Sequence, residues 1–309
     1  MSIDPVVLAL ITVIGAATPL LFAALGELVA EKSGVLNLGV EGMMLVGAVA
    51  AFATAVATGS STLAILAAAA AGGLMALLFG LLTLSLLTSQ VATGLALTIF
   101  GIGLSALAGA PYVGTPLTRL ARLDLPGLSD LPVVGPLLFS HDILVYLAVA
   151  MVPAIAWFLN RSRAGLILRA VGDSHDAAHA IGYSVIRIRY LAVAFGGVMA
   201  GLGGAYLSLA YTPMWIEQMT AGRGWIALAL VVFAAWRPLR VLIGAYLFGG
   251  VTILQLHVQG GAVIDIPSQY LSMLPYIATI VVLTLMSSGA ARRRLQAPAC
   301  LGRPFHPTA

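Results

Sequence analysis

The stretch from Arg161 to Tyr190, RSRAGLILRAVGDSHDAAHAIGYSVIRIRY, is the one long polar segment of this 309-residue chain. It contains five arginines, two aspartates and two histidines. Apolar runs long enough to cross a bilayer lie on both sides of it. A basic segment of this length, held in water between membrane helices, is typical of a surface that meets a partner protein. We therefore interpret the rest of the chain outward from this polar island (residues 161–190).

The composition predicts an all-α polytopic membrane protein. Hydrophobic residues make up 61% of the chain and charged residues only 8%, whereas a soluble domain has about 25% charged residues. Mean hydropathy is +1.05, and the short alternating strands of a membrane barrel are absent from the sequence. The single cysteine, Cys300, rules out an internal disulfide. Membrane orientation explains the basic pI of 9.5, so we do not expect a nucleic acid partner.

Nine apolar runs predict about nine transmembrane helices. The second run begins irregularly, because three glycines and the polar residues Asn37 and Glu41 fall within its first residues. This pattern predicts a broken or re-entrant helix near residues 34–42, which is tolerated at membrane depth only when it is buried in protein or lines a cavity. The nine runs are residues 6–25, 35–58, 62–87, 90–110, 143–159, 191–211, 225–235, 241–256 and 270–286.

Two of these runs carry small residues at intervals of four positions. Such a face lets two helix backbones approach closely, so both ladders are expected to serve helix packing. The third run has Ala64, Ala68, Gly72, Ala76 and Gly80, and the sixth has Gly197, Gly201 and Ala205.

The distribution of positive charge predicts the orientation. If the polar island is cytoplasmic, twelve of the fifteen Lys and Arg residues lie inside and only Arg119, Arg122 and Arg223 lie outside. The N-terminus is then outside and the C-terminus inside. We expect one transmembrane domain over residues 1–290 and a cytoplasmic basic tail over residues 291–309.

Four polar residues within the apolar runs are candidates for the lining of a translocation path. Glu41 is a carboxylate well inside an apolar segment, and charge at membrane depth marks a pathway or a buried partner. The alternative for Glu41 is a structural hydrogen bond that caps the broken helix beside Asn37. Gln90 and Thr98 lie on one helix face, where they can bind a polar solute or serve helix packing.

Two kinds of chemistry find little support in the chain. His175 and His179 share a helix face as in a zinc motif, but the general-base glutamate is replaced by Asp176 and no third ligand is evident. We therefore expect no metal site and no catalytic residues. A P-loop requires a lysine after glycine, and the only lysine, Lys32, follows Glu31. If ATP drives this protein, another polypeptide binds the nucleotide.

Two segments resemble signatures of a known family. The stretch 26–48, GELVAEKSGVLNLGVEGMMLVGA, resembles the N-terminal signature of ABC-importer permeases of the ribose and branched-chain amino acid superfamily. It is most similar to the nucleoside permeases that work with basic-membrane-protein-type binding lipoproteins. The stretch 219–249, MTAGRGWIALALVVFAAWRPLRVLIGAYLFG, resembles the matching C-terminal signature. The resemblance covers roughly residues 10–288.

The resemblance implies that residues 160–190 form a cytoplasmic coupling loop that docks on an ATP-binding subunit. Importer permeases carry an E-A-A-x-x-x-G pattern in this loop. The pattern matches Asp176, Ala177, Ala178 and Gly182, with Asp in place of Glu. Arg169, Gly172 and Asp173 precede the pattern and are expected to flank the contact.

The resemblance also implies the partners and the location. We expect an ATPase subunit that holds ATP and Mg²⁺, a second permease subunit of the same or a different chain, an extracytoplasmic substrate-binding lipoprotein, and membrane lipid. The chain itself then needs no cofactor, is not an enzyme, and lies in the bacterial inner membrane.

The leading hypothesis is a permease subunit of an ATP-driven ABC importer for a nucleoside or similar small polar solute. A pentose-type sugar permease has the same fold and differs only in its solute. An ion-coupled secondary transporter would use Glu41 as its ion site and would need no ATPase. An intramembrane enzyme would depend on His175 and His179, and its activity would be sensitive to chelators.

Overall fold

The computed structural model describes residues 5–123, 133–260 and 297–306, together with positions 127, 129, 131, 273, 277, 280, 281 and 284. Within this part of the chain the regular structure is helical, with two isolated backbone bridges in the connecting segments. The helices are α1 (Pro5–Lys32), α2 (Val40–Thr58), α3 (Ser61–Gly80), α4 (Gln90–Gly109), α5 (Val134–Leu138), α6 (Ile143–Arg161), α7 (Arg163–Asp173), α8 (His175–Ala180), α9 (Val185–Tyr206), α10 (Arg223–Phe233) and α11 (Pro238–Gly260).

Seven of the described helices are long and apolar enough to cross a membrane, namely α1, α2, α3, α4, α6, α9 and α11. The predicted all-α membrane class is therefore confirmed. The seventh predicted run, residues 225–235, falls on α10, whose eleven residues rise only about 16 Å. The ninth run, residues 270–286, lies largely outside the described residues.

Helix α1 continues further than its apolar run predicts. We expected the first span to end at Leu25, because Glu27 and Glu31 follow, but the helix extends to Lys32. Both carboxylates accept hydrogen bonds from outside the helix, Glu27 from Asn37 and Glu31 from Trp236, so their charges need not interrupt the helix.

Helix α9 is the centre of the molecule and packs against α1, α2 and α3. The two small-residue ladders meet here. A Cβ added to Gly72 would lie 2.2 Å from the carbonyl oxygen of Gly197, and one added to Gly201 would lie 2.2 Å from that of Ala68. The prediction that both ladders serve helix packing is confirmed, because only glycine permits this approach.

Large apolar side chains form much of the outer surface. Leu74 of α3, Ile99 and Leu107 of α4, and Ile243 of α11 are each at least 66% exposed. A surface of this kind is stable only against lipid or another apolar protein surface.

Candidate functional site

The chain is interrupted between α1 and α2 by a buried non-helical segment, residues 33–39, which we call the first break. Gly34 has φ +88°, a left-handed conformation that glycine adopts without strain. Ser33, Val35 and Asn37 are at most 1% exposed. Non-helical backbone is therefore present at the start of the segment near residues 34–42 that was predicted to be broken or re-entrant, whereas residues 40–42 already belong to α2. A re-entrant course stays a prediction. Buried backbone outside a helix needs hydrogen-bonding partners from the surrounding protein.

Helix α4 supplies two of these partners. The side-chain carbonyl of Gln90 accepts a hydrogen bond from the backbone N–H of Leu36 at 2.8 Å. Two turns further on, the Thr98 hydroxyl donates to the carbonyl of Leu38 at 3.0 Å. Gln90 and Thr98, which share one face of α4, therefore bind successive parts of the first break.

Asn37 and Glu27 complete the first break. The Asn37 side-chain oxygen accepts from the N–H of Gly39 at 2.9 Å, which shapes the turn into α2. The Asn37 backbone N–H donates to Oε1 of Glu27 at 2.9 Å. The second carboxylate oxygen of Glu27 is buried and has no hydrogen-bond partner in the described part of the chain.

Glu41, one residue into α2, caps a different helix. Its Oε1 accepts from the Thr220 hydroxyl at 2.5 Å and from the N–H of Gly222 at 2.8 Å, while Oε2 accepts from the N–H of Gly224 at 2.6 Å. These donors surround the start of α10 at Arg223. A carboxylate is favourable there because the free N–H groups and the helix dipole both present positive charge.

The structure brings the four predicted path residues together at the junction of the first break with α4 and α10. Asn37, Glu41, Gln90 and Thr98 are each at most 5% exposed, and each holds backbone in place. A role for them in lining the path remains a prediction. Thr220, Gly222 and Gly224 were missed by sequence reasoning, because no local pattern marks their distant partner.

Glu31, near the end of α1, contacts Trp236 in the connection between α10 and α11. Oε2 of Glu31 accepts from the indole N–H of Trp236 at 2.5 Å, and both side chains are buried. The buried role of Glu27 and Glu31 could have been predicted, because both lie in a helix long enough to span the membrane. A charge there indicates a buried partner.

The polar island folds into the short helices α7 and α8, each capped by a serine. The Ser162 hydroxyl accepts from the N–H of Gly165 at 2.9 Å, and the Ser174 hydroxyl accepts from that of Ala177 at 3.3 Å. Gly182 ends this unit with φ +92°, a left-handed conformation in which it turns the chain out of α8.

The matched positions of α8 face in two directions. The Asp176 side chain is 83% exposed and Ala177 is exposed, whereas Ala178 is 2% exposed and packs inward. Nothing lies within 4 Å of a Cβ added to Gly182. This outer face is open for a partner, and docking of an ATPase on it remains a prediction.

The described tail segment, residues 297–306, packs against the polar island. The N–H of Cys300 donates to the carbonyl of Gly172 at 2.9 Å, and the N–H of Gly302 donates to that of Gly34 at 3.1 Å. The Phe305 ring lies 5.3 Å from the rings of both His175 and His179. The tail thereby connects α7 and α8 to the first break, which its basic composition did not predict.

Arg189 at the start of α9 forms a second connection. Its buried guanidinium donates to the carbonyls of Ser33 at 3.2 Å and Arg303 at 3.1 Å, and it lies 3.2 Å from Nδ1 of His175. One side chain therefore contacts the first break, the tail and α8. Because Arg189 is a donor, His175 accepts through Nδ1 as a neutral ring. Burial and the charge of Arg189 both lower the pKa of His175.

The residues that precede the pattern lie on α7, against the end of α1. A Cβ on Gly172 would lie 2.2 Å from the carbonyl oxygen of Lys32, so only glycine fits. The carbonyl of Asp173 lies 3.5 Å from the Cys300 sulfur. Nε of Arg169 is buried and has no hydrogen-bond partner in the described part of the chain. Gly172 and Asp173 are thus brought together with the tail, through Cys300.

The two histidines of the polar island do not converge on a common point with a third ligand. Within the described residues, no group of three or more His, Cys, Asp or Glu side chains could hold a metal ion. His175 is engaged with Arg189, and the Phe305 ring lies against both histidines.

Comparison with known proteins gives a family match over residues 9–283, to the permease component of branched-chain amino acid transport systems. A Haloferax volcanii protein provisionally named a glucose ABC transporter permease is 42% identical, over 94% of this chain and 95% of its own length. The nucleoside ABC transporter permease of Lactococcus lactis subsp. cremoris is 33% identical, over 87% and 88%. The guanosine ABC transporter permease of Bacillus subtilis is 31% identical, over 94% and 93%.

The family match covers most of the chain, and these relatives are matched over most of their own lengths. The seven apolar helices and the polar island agree with a multi-pass permease. The chain therefore belongs to the family of ABC transporter permeases that contains the permease component of branched-chain amino acid transport systems.

Proposed function

We propose that this chain is the permease subunit of an ATP-driven importer and forms the translocation path for a nucleoside or a similar small polar solute. The observation that carries the proposal is a continuous connection inside the molecule. It runs from α8 through the tail and Arg189 to the first break, and from there to Glu41 at the start of α10.

The connection gives a mechanism for alternating access. An ATPase subunit binds the outer face of α8, with Asp176 and Ala177 at the contact. Closure of the ATPases on ATP shifts α7 and α8, and the tail and Arg189 transmit the shift to the first break. The shift alters the three hydrogen bonds that Glu41 makes at α10. Breaking these bonds in one state and restoring them in the other opens and closes the path, with no chemistry on this chain.

The proposed orientation puts the polar island and the tail in the cytoplasm and the N-terminus outside. It is supported by the twelve cations that share the island's side of the membrane. The ATPase, which holds ATP and Mg²⁺, then contacts α8. A second permease subunit packs on the exposed apolar surface, and a substrate-binding lipoprotein docks on the opposite side of the plasma membrane.

A nucleoside is the proposed solute because two of the relatives are named for nucleoside or guanosine transport. A sugar is the second candidate, favoured by the 42% identity to the protein named for glucose. Both solutes present a hydroxylated ring without net charge. Such a solute can be held by hydrogen bonds without a buried counter-charge.

The first test is a mild-detergent pull-down of this chain from its native membrane, with mass spectrometry of the proteins that accompany it. An ATPase subunit with a second permease and a binding lipoprotein is the expected result. Recovery of this chain alone, from membranes in which it still transports, would overturn the proposal in favour of an ion-coupled carrier.

The second test measures solute uptake by the recovered complex in proteoliposomes. Uptake of labelled guanosine should require ATP and persist when ionophores dissipate the ion gradients. Unlabelled glucose and ribose are added as competitors to distinguish a nucleoside transporter from a sugar transporter. Competition by a sugar at concentrations similar to guanosine would assign the complex to sugars.

A further inference from the structure

A cavity of about 470 Å³ lies where the ends of α1, α6 and α11 meet α7. Four cationic side chains line it: Lys32, Arg169, Arg237 and Arg240. No carboxylate is among the described residues that line this cavity. Four positive charges around one concave space attract an anion strongly, especially where apolar walls exclude water.

Arg169 gives an independent sign of a ligand. Its Nε is buried against the cavity wall and lacks a hydrogen-bond partner in the described part of the chain. A buried guanidinium N–H without an acceptor is unfavourable, and an anionic oxygen in the cavity would supply one.

The remaining wall of the cavity is apolar. Leu159 of α6 and Leu239 of α11 line it, and the Leu239 side chain is 62% exposed on the outer surface of the molecule. The cavity is therefore continuous with the surface that faces the acyl chains of the membrane. Its basic side lies at the helix ends, where a bilayer places its headgroups.

We propose that this cavity binds the headgroup of an anionic phospholipid. The phosphate lies among Arg169, Arg237 and Arg240, and the acyl chains run along α6 and α11. The lipid belongs to the cytoplasmic leaflet if the orientation given under the proposed function holds, whereas the binding chemistry is the same in either orientation. An uncharged solute would supply no counter-charge to Arg169, Arg237 and Arg240, so the cavity is distinct from the solute path.

Free phosphate carries the same anionic group as a phospholipid headgroup, but it has no acyl chains to contact the apolar wall of the cavity. The two ligands can therefore be distinguished by experiment. The complex is purified in mild detergent, and native mass spectrometry counts the retained phosphatidylglycerol and phosphatidylethanolamine. Retention of phosphatidylglycerol that survives 10 mM inorganic phosphate is expected, with little phosphatidylethanolamine. Loss of the lipid in phosphate would overturn the proposal in favour of a simple phosphate site.

The decisive variant is the double substitution Arg237→Gln with Arg240→Gln, which removes two charges from the cavity. The matched control is Arg163→Gln with Arg187→Gln, which removes two exposed charges that do not line it. Phosphatidylglycerol retention should fall by roughly ten- to thirty-fold in the first variant and stay unchanged in the second.

Two results would overturn the proposal. One is equal phosphatidylglycerol retention in both double variants. The other is loss of the ATPase subunit from the Arg237→Gln, Arg240→Gln complex with lipid retention unchanged, which would assign the four cations to an acidic surface of that subunit. Each result is distinct from failure of the proposed transport function, because lipid retention is counted without any uptake assay.

Discussion

At the scale of single residues, Glu41 is the junction between two interrupted helices. Its carboxylate satisfies three donors at the start of α10 and keeps that helix end against α2. Glu41→Gln keeps the size but presents an amide N–H₂ to at least one of these donors. We expect uptake to fall at least about tenfold, the range for loss of a hydrogen bond to a charged group, while the complex still assembles.

The matched variant for this position is Thr220→Val, which removes one donor and leaves the carboxylate with both backbone N–H groups. Uptake should fall only a few-fold in this variant, because no buried hydrogen-bond donor is left facing another donor. Uptake by proteoliposomes with equal amounts of complex makes the comparison. Wild-type uptake by Glu41→Gln would reduce Glu41 to a structural cap without a role in transport.

We expect tail docking to depend on pH through His175. The titratable and charged groups that face it are Arg189 of α9, Asp176 of α8, and Arg303 and His306 of the tail. Burial and Arg189 hold its pKa below the ordinary value of about 6.5, so the docked tail favours the neutral ring. The undocked state therefore binds the proton more readily, and docking weakens as the pH falls below about 6.5.

Cys300 reports this change because it is the only cysteine, lies within the tail segment, and is only 8% exposed where the tail packs on α7. We expect its rate of maleimide labelling, relative to free glutathione at the same pH, to rise severalfold between pH 7.5 and pH 5.5. His175→Gln should remove the pH dependence, and Phe305→Ala should raise labelling at both values. A relative rate that does not change with pH in the wild type would contradict the role of His175.

At the scale of elements, two substitutions of Gly182 distinguish the effect of backbone strain from that of steric bulk at the end of α8. Its φ of +92° strains any other residue by about 1–2 kcal/mol, and the space around it is open. Gly182→Ala and Gly182→Trp therefore share the strain, while only Trp adds bulk to the face that meets the ATPase. We expect uptake to be reduced by Ala and abolished by Trp, with normal membrane insertion of both.

The control for Gly182 is Gly103→Ala, since Gly103 lies in regular helix with nothing within 4 Å of an added Cβ. This variant should leave uptake and ATPase association unchanged. Association is measured as the ratio of ATPase to permease after pull-down. A Trp variant that retains the ATPase as well as the Ala variant does would place the coupling contact elsewhere.

The elements that could be predicted from sequence are those with a local cause. The ladders at Gly72 and Gly201 follow from the spacing of small residues, and the first break follows from glycine and Asn37 inside an apolar run. The cap of α10 by Glu41 and the docking of Cys300 on Gly172 join positions more than 100 residues apart. No periodicity marks such pairs. The misplaced end of α1 has the same cause, because the partner of Glu31 is Trp236.

At the scale of the whole molecule, the rigid and the adjustable parts occupy different places. The packing of α9 on α1, α2 and α3 leaves no room for an added methyl group at several glycines. The first break and the start of α10 are held instead by individual side-chain hydrogen bonds. Close-packed helices move as units, whereas such bonds can be exchanged, so the interruptions are where the molecule can change state.

Substitutions of the neighbouring glycines Gly72 and Gly73 on α3 test whether the close-packed helices are the rigid part of the molecule. An added Cβ on Gly72 would lie 2.2 Å from the backbone oxygen of Gly197, but one on Gly73 would meet only a side-chain methyl of Val198 at 3.2 Å. Gly72→Ala must therefore move α3 away from α9, which typically costs about 1–3 kcal/mol, whereas Val198 can adjust to Gly73→Ala. We expect thermal unfolding of the purified chain at a clearly lower temperature for Gly72→Ala only. Equal midpoints of thermal unfolding for the two variants would mean that α3 can move away from α9 at little cost. Conformational change would then not be confined to the first break and the start of α10.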